Sequence, residues 1–205
     1  MNCSRTPSNR RICVSAQKAS EETKLKELVN EYQKKFNLHK KWGEKRSFEE
    51  AVFGAKPEKT DPHQRYFPKV RLHEIANYLA EQWNSNSFKD FEELYEYVRA
   101  ILLISPSNPD GKINNPNALI FYDIALRLAS QYHVWPKDYV YLNGNGPSIG
   151  AKALGLEKLK VKDKNKRMSY SDSIKLYPAL SELDAAGVED FLCIYKKEIK
   201  ELKIK

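Results

Sequence analysis

"NALIFYDIALRLASQYHV", residues 117–134, is the stretch on which the fold turns. Apolar residues occupy nearly every side of a helix drawn through it, so such a helix has no face to give to water. It must be surrounded by other helices. The chain is therefore read as all-α: a single compact multi-helix domain around this central apolar helix, with short extended pieces at most. The polar residues inside the run then need partners. Asp123, Arg127 and Gln131 stand at i, i+4 spacing on one face. A buried charge is costly unless paired, so Asp123 and Arg127 are expected to pair with each other or to clamp a neighbouring loop. A catalytic reading makes Asp123 a general base or water-positioner and Arg127 an anion clamp.

Working outward, the flanking segments repeat the helical pattern. Upstream, Leu72, Ile75, Ala76, Leu79 and Trp83 share one face of a helix. Phe91, Leu94, Tyr95, Val98 and Leu102 share one face of another, opened by Ser87 and Asp90. "SFEE" at Ser47 is a capping box with Glu50, opening a short helix that stops at Gly54. Proline-rich stretches at 55–69 and 105–116 are loops, with Pro116 suited to the first turn of the central helix. From Ser20 a further helix turns Leu25, Leu28, Val29, Tyr32 and Phe36 inward. Downstream, "WPKDYVYL" is a short helix or an extended segment, and "PSIGAKALG" a short helix with Pro147 first and Gly155 closing it. "KLKVKDKNKR" alternates, so an extended conformation would set its lysines on one side. The last helix runs from about Asp184, burying Val188, Phe191, Leu192, Tyr195 and Ile199.

A chain of 205 residues suits one domain. Residues 1–17 lack periodicity and are read as a disordered basic tail, leaving 18–205 as the helical domain. No apolar run approaches the roughly 20 residues that cross a bilayer, so no membrane partner is expected. The start lacks the apolar core of a secretory signal. Cys3, Cys13 and Cys193 have no metal-ligand spacing and are odd in number, which points to reduced thiols in a cytoplasmic protein with no metal or cofactor. The formal charge of +8 is uneven. Residues 1–46 hold 12 basic against 5 acidic side chains and residues 137–175 hold 9 against 4, on an otherwise acidic body. Two basic islands of this kind suit a polyanionic partner, nucleic acid first among them.

"YLNGNGPSIGAKALGL", residues 141–156, interrupts the helical pattern with closely spaced glycines. Either the chain needs only a sharp corner at Gly144 and Gly146, or something must approach its backbone. For a phosphate, Gly144, Gly146 and Ser148 would form the cradle, Lys152 would add a charge, and Lys158, Lys160 and Lys162 would line the flank. A P-loop is excluded because no Gly-Lys-Ser/Thr follows, and a dinucleotide fold because strands and helices do not alternate. Residues 137–155 resemble a helix-hairpin-helix element. Leu142 precedes it, Gly144 and Gly146 match the paired glycines around Asn145, and Pro147, Gly150 and Leu154 follow. The resemblance implies binding of a DNA phosphate. All-α proteins with this motif include base-excision DNA glycosylases, whose catalytic lysine falls at Ser148 here and whose aspartate falls in the region of Asp163 and Asp172.

"RLASQYH" sets Arg127 and His133 in a pattern similar to the Arg–His pair of HEPN-type ribonucleases, which implies phosphodiester cleavage at a dimer interface. Residues 64–78, 118–156 and 188–197 are similar to an uncharacterised family of small bacterial helical proteins, a likeness that implies a fold and no activity. "DPHQRYFPKVRLH" gathers His63, Arg65, Lys69, Arg71 and His73 around Tyr66 and Phe67, as a nucleic-acid grip or a packed loop would. The leading reading is DNA binding through the glycine hairpin and the basic patches. The alternatives are an enzyme, ribonuclease-like or glycosylase-like, and a non-catalytic interaction protein.

Overall fold

The computed structural model describes residues 7–36, 45–54, 67–104, 119–161 and 166–202. The helices are α1 Pro7–Lys35, α2 Phe48–Phe53, α3 Lys69–Gln82, α4 Phe91–Leu103, α5 Leu119–Leu128, α6 Asn145–Ala153, α7 Tyr170–Leu176, α8 Ala185–Ile194 and α9 Lys196–Glu201. Among the described residues, sheet is confined to two short antiparallel strands, β1 Tyr139–Tyr141 and β2 Arg167–Ser169, with Val140 opposite Met168. The protein is all-α in class, as its periodicity predicts. No helix among the described residues is long and apolar enough to cross a membrane.

The side chains divide into two cores. One gathers α2, α3, α4 and α5. The other gathers α1, α6, α8 and α9. The strand pair is the partition between them, because successive strand residues point to opposite faces. Tyr139 and Tyr141 pack with the first core, and Val140 and Leu142 with the second.

Helix α5 is the central helix expected, with every residue from Ile120 to Leu128 buried. It is shorter than its apolar run suggests. The α-helix ends at Leu128, a 3₁₀ turn covers Ala129–Gln131, and His133 takes a left-handed φ of 56°. Ser130, Gln131 and His133 break the apolar continuity there, and the turn satisfies carbonyls that the helix end leaves open.

The polar stripe of α5 clamps α2. Arg127 Nη1 donates to the Ala51 carbonyl at 2.9 Å, and its Nη2 lies 3.6 Å from Asp123 Oδ2. Gln131 Nε2 donates to the Arg46 carbonyl at 2.7 Å, ahead of α2. The capping box of Ser47 and Glu50 is formed, and Gly54 closes α2 with φ 77°. Helix α2 is too short to persist alone. Its caps and these side-chain donors hold it against the core.

Helix α1 departs from expectation. Its backbone is helical from Pro7, so positions 7–17, expected in a tail, continue the helix. Proline suits a first turn, and no glycine or proline follows before Lys35. With Leu25, Val29 and Tyr32 buried in the second core, the helix extends at little further cost per residue. Phe36 follows the helix and is 38% exposed, stacked on Tyr32, where inward packing was expected.

Candidate nucleic-acid interface

Strand β1 leads into the glycine turn, so the turn joins a strand, not a helix, to α6. The pairing runs one step past the strand, with the Leu142 amide donating to the Lys166 carbonyl at 2.7 Å. Leu142 and Asn143 are fully buried, and Asn143 Nδ2 donates to the Tyr95 hydroxyl at 3.4 Å. The chain then surfaces at Gly144, whose φ of 84° and ψ of 173° make it the N-cap of α6. A side chain there would be strained, so this glycine is the corner.

Gly146 is not a second corner, and the space it clears is not for a phosphate. It lies inside the first turn of α6 without a positive φ. A Cβ on it would stand 2.3 Å from Cys193 Sγ. One turn on, a Cβ on Gly150 would stand 2.3 Å from the Leu192 carbonyl oxygen. The two glycines therefore lay the backbone of α6 onto α8. Pro147 is the third helical residue, not the first, and is buried. It remains in the first turn, where its missing N–H costs nothing.

Gly144 and Asn145 stay exposed at this helix start. No side chain caps α6. With proline in third place, the amides of Asn145 and Gly146 are first-turn donors that find no acceptor within the helix. The positive end of the helix dipole lies at the same point. Ser148 is turned inward, its Oγ donating to the Leu142 carbonyl at 2.9 Å. That bond braces the turn and commits the hydroxyl proton expected for a ligand.

The lysines distribute unevenly around this point. Lys152 is in the last turn of α6. At 1.5 Å per residue its backbone lies about 10 Å along the axis from Asn145. The expected extended run is interrupted by a 3₁₀ turn, Leu156–Leu159, which carries Lys158; Lys160 then pairs with Met168. Both side chains are exposed. Lys162 lies outside the described residues. The lysine that pairing joins to the turn is Lys166, exposed and hydrogen-bonded to Leu142 through its carbonyl. Beside it, the Arg167 guanidinium sits 3.9 Å over the Tyr139 ring. Lys196, on α9, donates to the Cys193 carbonyl at 2.8 Å, close under Gly146. Composition marks Lys166 and Lys196 no more than their neighbours; only register and helix packing single them out.

The catalytic candidates separate. Arg127 is 1% exposed and engaged with Ala51 and Asp123, and Asp123 is itself buried. Arg127 is closed off from solvent and Asp123 nearly so, which does not suit the anion clamp and general base of the catalytic reading. Arg127 cannot meet a phosphodiester together with His133, which is exposed on the rim of a cleft. Asp163 lies outside the described residues. Asp172 is exposed in the first turn of α7, where hydrogen bonds from Ser169 and Lys175 hold its carboxyl below the usual range. Burial pushes the Cys193 thiol up to about 11, which leaves it a poor nucleophile. His63, Arg65 and Tyr66 lie outside the described residues, and His73 Nδ1 is 2.8 Å from Glu49 Oε1.

No family model matches the chain, and no curated protein or solved structure matches it either.

Proposed function

We propose that the protein binds nucleic acid, DNA in particular, by gripping the phosphate backbone at the start of α6. The observation that carries this reading is an exposed helix N-terminus with no side-chain cap, tied by the Leu142–Lys166 bond to the lysine that precedes β2. Open amides at the positive end of a helix favour an oxyanion. Lys158, Lys160 and Lys166 supply exposed cations on the flank, within an island of 9 basic against 4 acidic side chains over residues 137–175. Contacts of this kind go to phosphate and carry no sequence information, so binding is sequence-tolerant and weakens steeply with salt. A cytoplasmic setting accompanies the reading, in keeping with the free thiol of Cys193 and the odd number of cysteines.

Asn145→Asp tests it, since Asn145 is exposed and its replacement disturbs no packing. A carboxylate in the first turn of α6 interacts favourably with the helix dipole and raises stability by roughly 0.3–1 kcal/mol. The same charge stands where the phosphate would sit, so duplex affinity falls. Opposite signs in thermal melting and in a DNA titration are the expected result. A rise in melting temperature with unchanged affinity would leave the turn as a corner only.

A further inference from the structure

At the end of β1 away from the glycine turn lies a cleft of about 470 Å³, lined in part by Lys89, His133, Trp135, Lys137, Tyr170 and Asp184. Trp135 and Tyr170 are each held by a hydrogen bond. Trp135 Nε1 donates to Asp184 Oδ2 at 2.9 Å, and the Tyr170 hydroxyl donates to the Leu183 carbonyl at 2.6 Å. The carboxylates beside them are engaged as helix caps. Asp184 Oδ1 accepts from the Gly187 amide at 2.6 Å at the start of α8, and Asp90 Oδ1 accepts from the Glu93 amide at 2.9 Å at the start of α4. Each therefore sits against the positive end of a helix, which offsets its charge. Lys89, Lys137 and His133 are exposed around the opening. His133 is the one non-glycine residue among the described residues with a positive φ, so backbone strain is concentrated on this rim.

We propose that this cleft is a subsite for one unpaired nucleobase and its phosphate, the base against Trp135 or Tyr170 and the phosphate between Lys89 and Lys137. The inference rests on the nucleic-acid reading and narrows its ligand to a single strand or a free nucleotide. A cavity of this size falls in the range that small ligands fill. Aromatic faces stack on every base, and flanking cations hold the backbone that carries it. A base within a duplex is stacked and paired, and must be extruded before it can enter a cleft. From Pro136 to Gly144 the chain spans at most roughly 26 Å, at about 3.3 Å per residue. A single strand of nucleic acid laid along β1 from the cleft to α6 would pass the Tyr139–Arg167 pair on the way.

The experiment compares three probes on the full chain: a short oligo(dA), a duplex of the same length, and AMP. Trp42→Phe with Trp83→Phe leaves Trp135 as the reporting indole, since the chain holds 3 tryptophans. Oligo(dA) is expected to quench Trp135 saturably, while the duplex binds without quenching it. Quenching by AMP at the same site identifies the free nucleotide as a ligand and also supports the cleft. A second variant needs no tryptophan change: Lys89→Ala with Lys137→Ala removes two exposed side chains and is read by anisotropy of labelled DNA. It is expected to weaken the single strand by about tenfold, the scale of two lost phosphate contacts, and to spare the duplex. Duplex binding with no quenching by oligo(dA) or AMP overturns the cleft and leaves the α6 reading standing. Equal weakening of both DNA forms by the lysine variant also overturns it. Absence of binding to every probe overturns both.

Discussion

Around α5 the molecule is joined through side chains; around α6 it is joined through backbone. In the first region Phe91, Tyr95, Tyr122 and Tyr141 form a run of ring contacts, and Arg127 reaches across to the carbonyl of Ala51. In the second, Gly146 and Gly150 bring α6 so close to α8 that a methyl group on either would stand 2.3 Å from Cys193 Sγ or the Leu192 carbonyl oxygen. The difference teaches where to look for each kind of constraint. A side-chain clamp shows itself as a polar residue in an apolar run. A backbone contact shows itself only as something missing, and a glycine missing its side chain for packing looks the same as one missing it for a turn.

That contrast can be broken by substitution. The largest effect is expected from Arg127→Ala, which leaves Asp123 buried without its counter-charge and the end of α2 without its donor. Breaking a buried pair costs about 3–5 kcal/mol, measurable as a shift in the urea midpoint. A cost below about 1 kcal/mol, the range of an exposed pair, would remove Arg127 as a clamp.

Gly150→Ala comes next. The obstructing atom is a main-chain oxygen that cannot rotate away, so the cost should lie near the top of the overpacking range, about 3 kcal/mol. Gly146→Ala meets a side-chain sulfur and should cost about 1–2 kcal/mol. Cys193→Ala vacates part of that space, so a double-mutant cycle should return a coupling of about 1 kcal/mol for Gly146 with Cys193 and none for Gly150 with Cys193. Equal costs for the two glycines, or no coupling, would mean that α6 and α8 adjust as bodies.

The smallest effect belongs to the seam between the regions. Glu92, on α4, is half-buried, and burial raises its carboxyl above the ordinary value of 4.5, against the opposing influence of Arg167. A raised acid binds its proton more tightly in the folded state. The stability this contributes is fully present below the unfolded value and is lost as pH rises through the folded one. Glu92→Gln should therefore flatten the stability profile over that interval and leave the variant relatively more stable at neutral pH. Parallel profiles for wild type and variant would show that Glu92 is solvated as an ordinary surface carboxylate.

Much of the candidate interface was legible locally. Gly144 reads as a turn residue because glycine and its neighbours set the backbone over a few positions, and the following short helix with Gly155 as its stop obeys the same local logic. Lys152, Lys158 and Lys160 were equally visible as charges, but nothing local tells which cation stands beside the turn. Lys166 does so because β2 pairs with β1 in one register. Lys196 reaches the Cys193 carbonyl because α9 follows α8 beneath α6.

By itself the sequence determined the helical class, the inward faces of α3, α4 and α8, and the capping box of Ser47 with Glu50. Each of these depends on residues within one or two turns of each other, where spacing and side-chain reach decide the outcome. Only the tertiary structure decided that Arg127 would hold Ala51, that Gly146 and Gly150 would serve packing, and that Lys89, His133, Trp135, Tyr170 and Asp184 would meet around one cleft. Those residues come from segments far apart in the chain. Which distant surfaces meet is set by how two cores and the strand pair between them close together, and no local pattern carries that information.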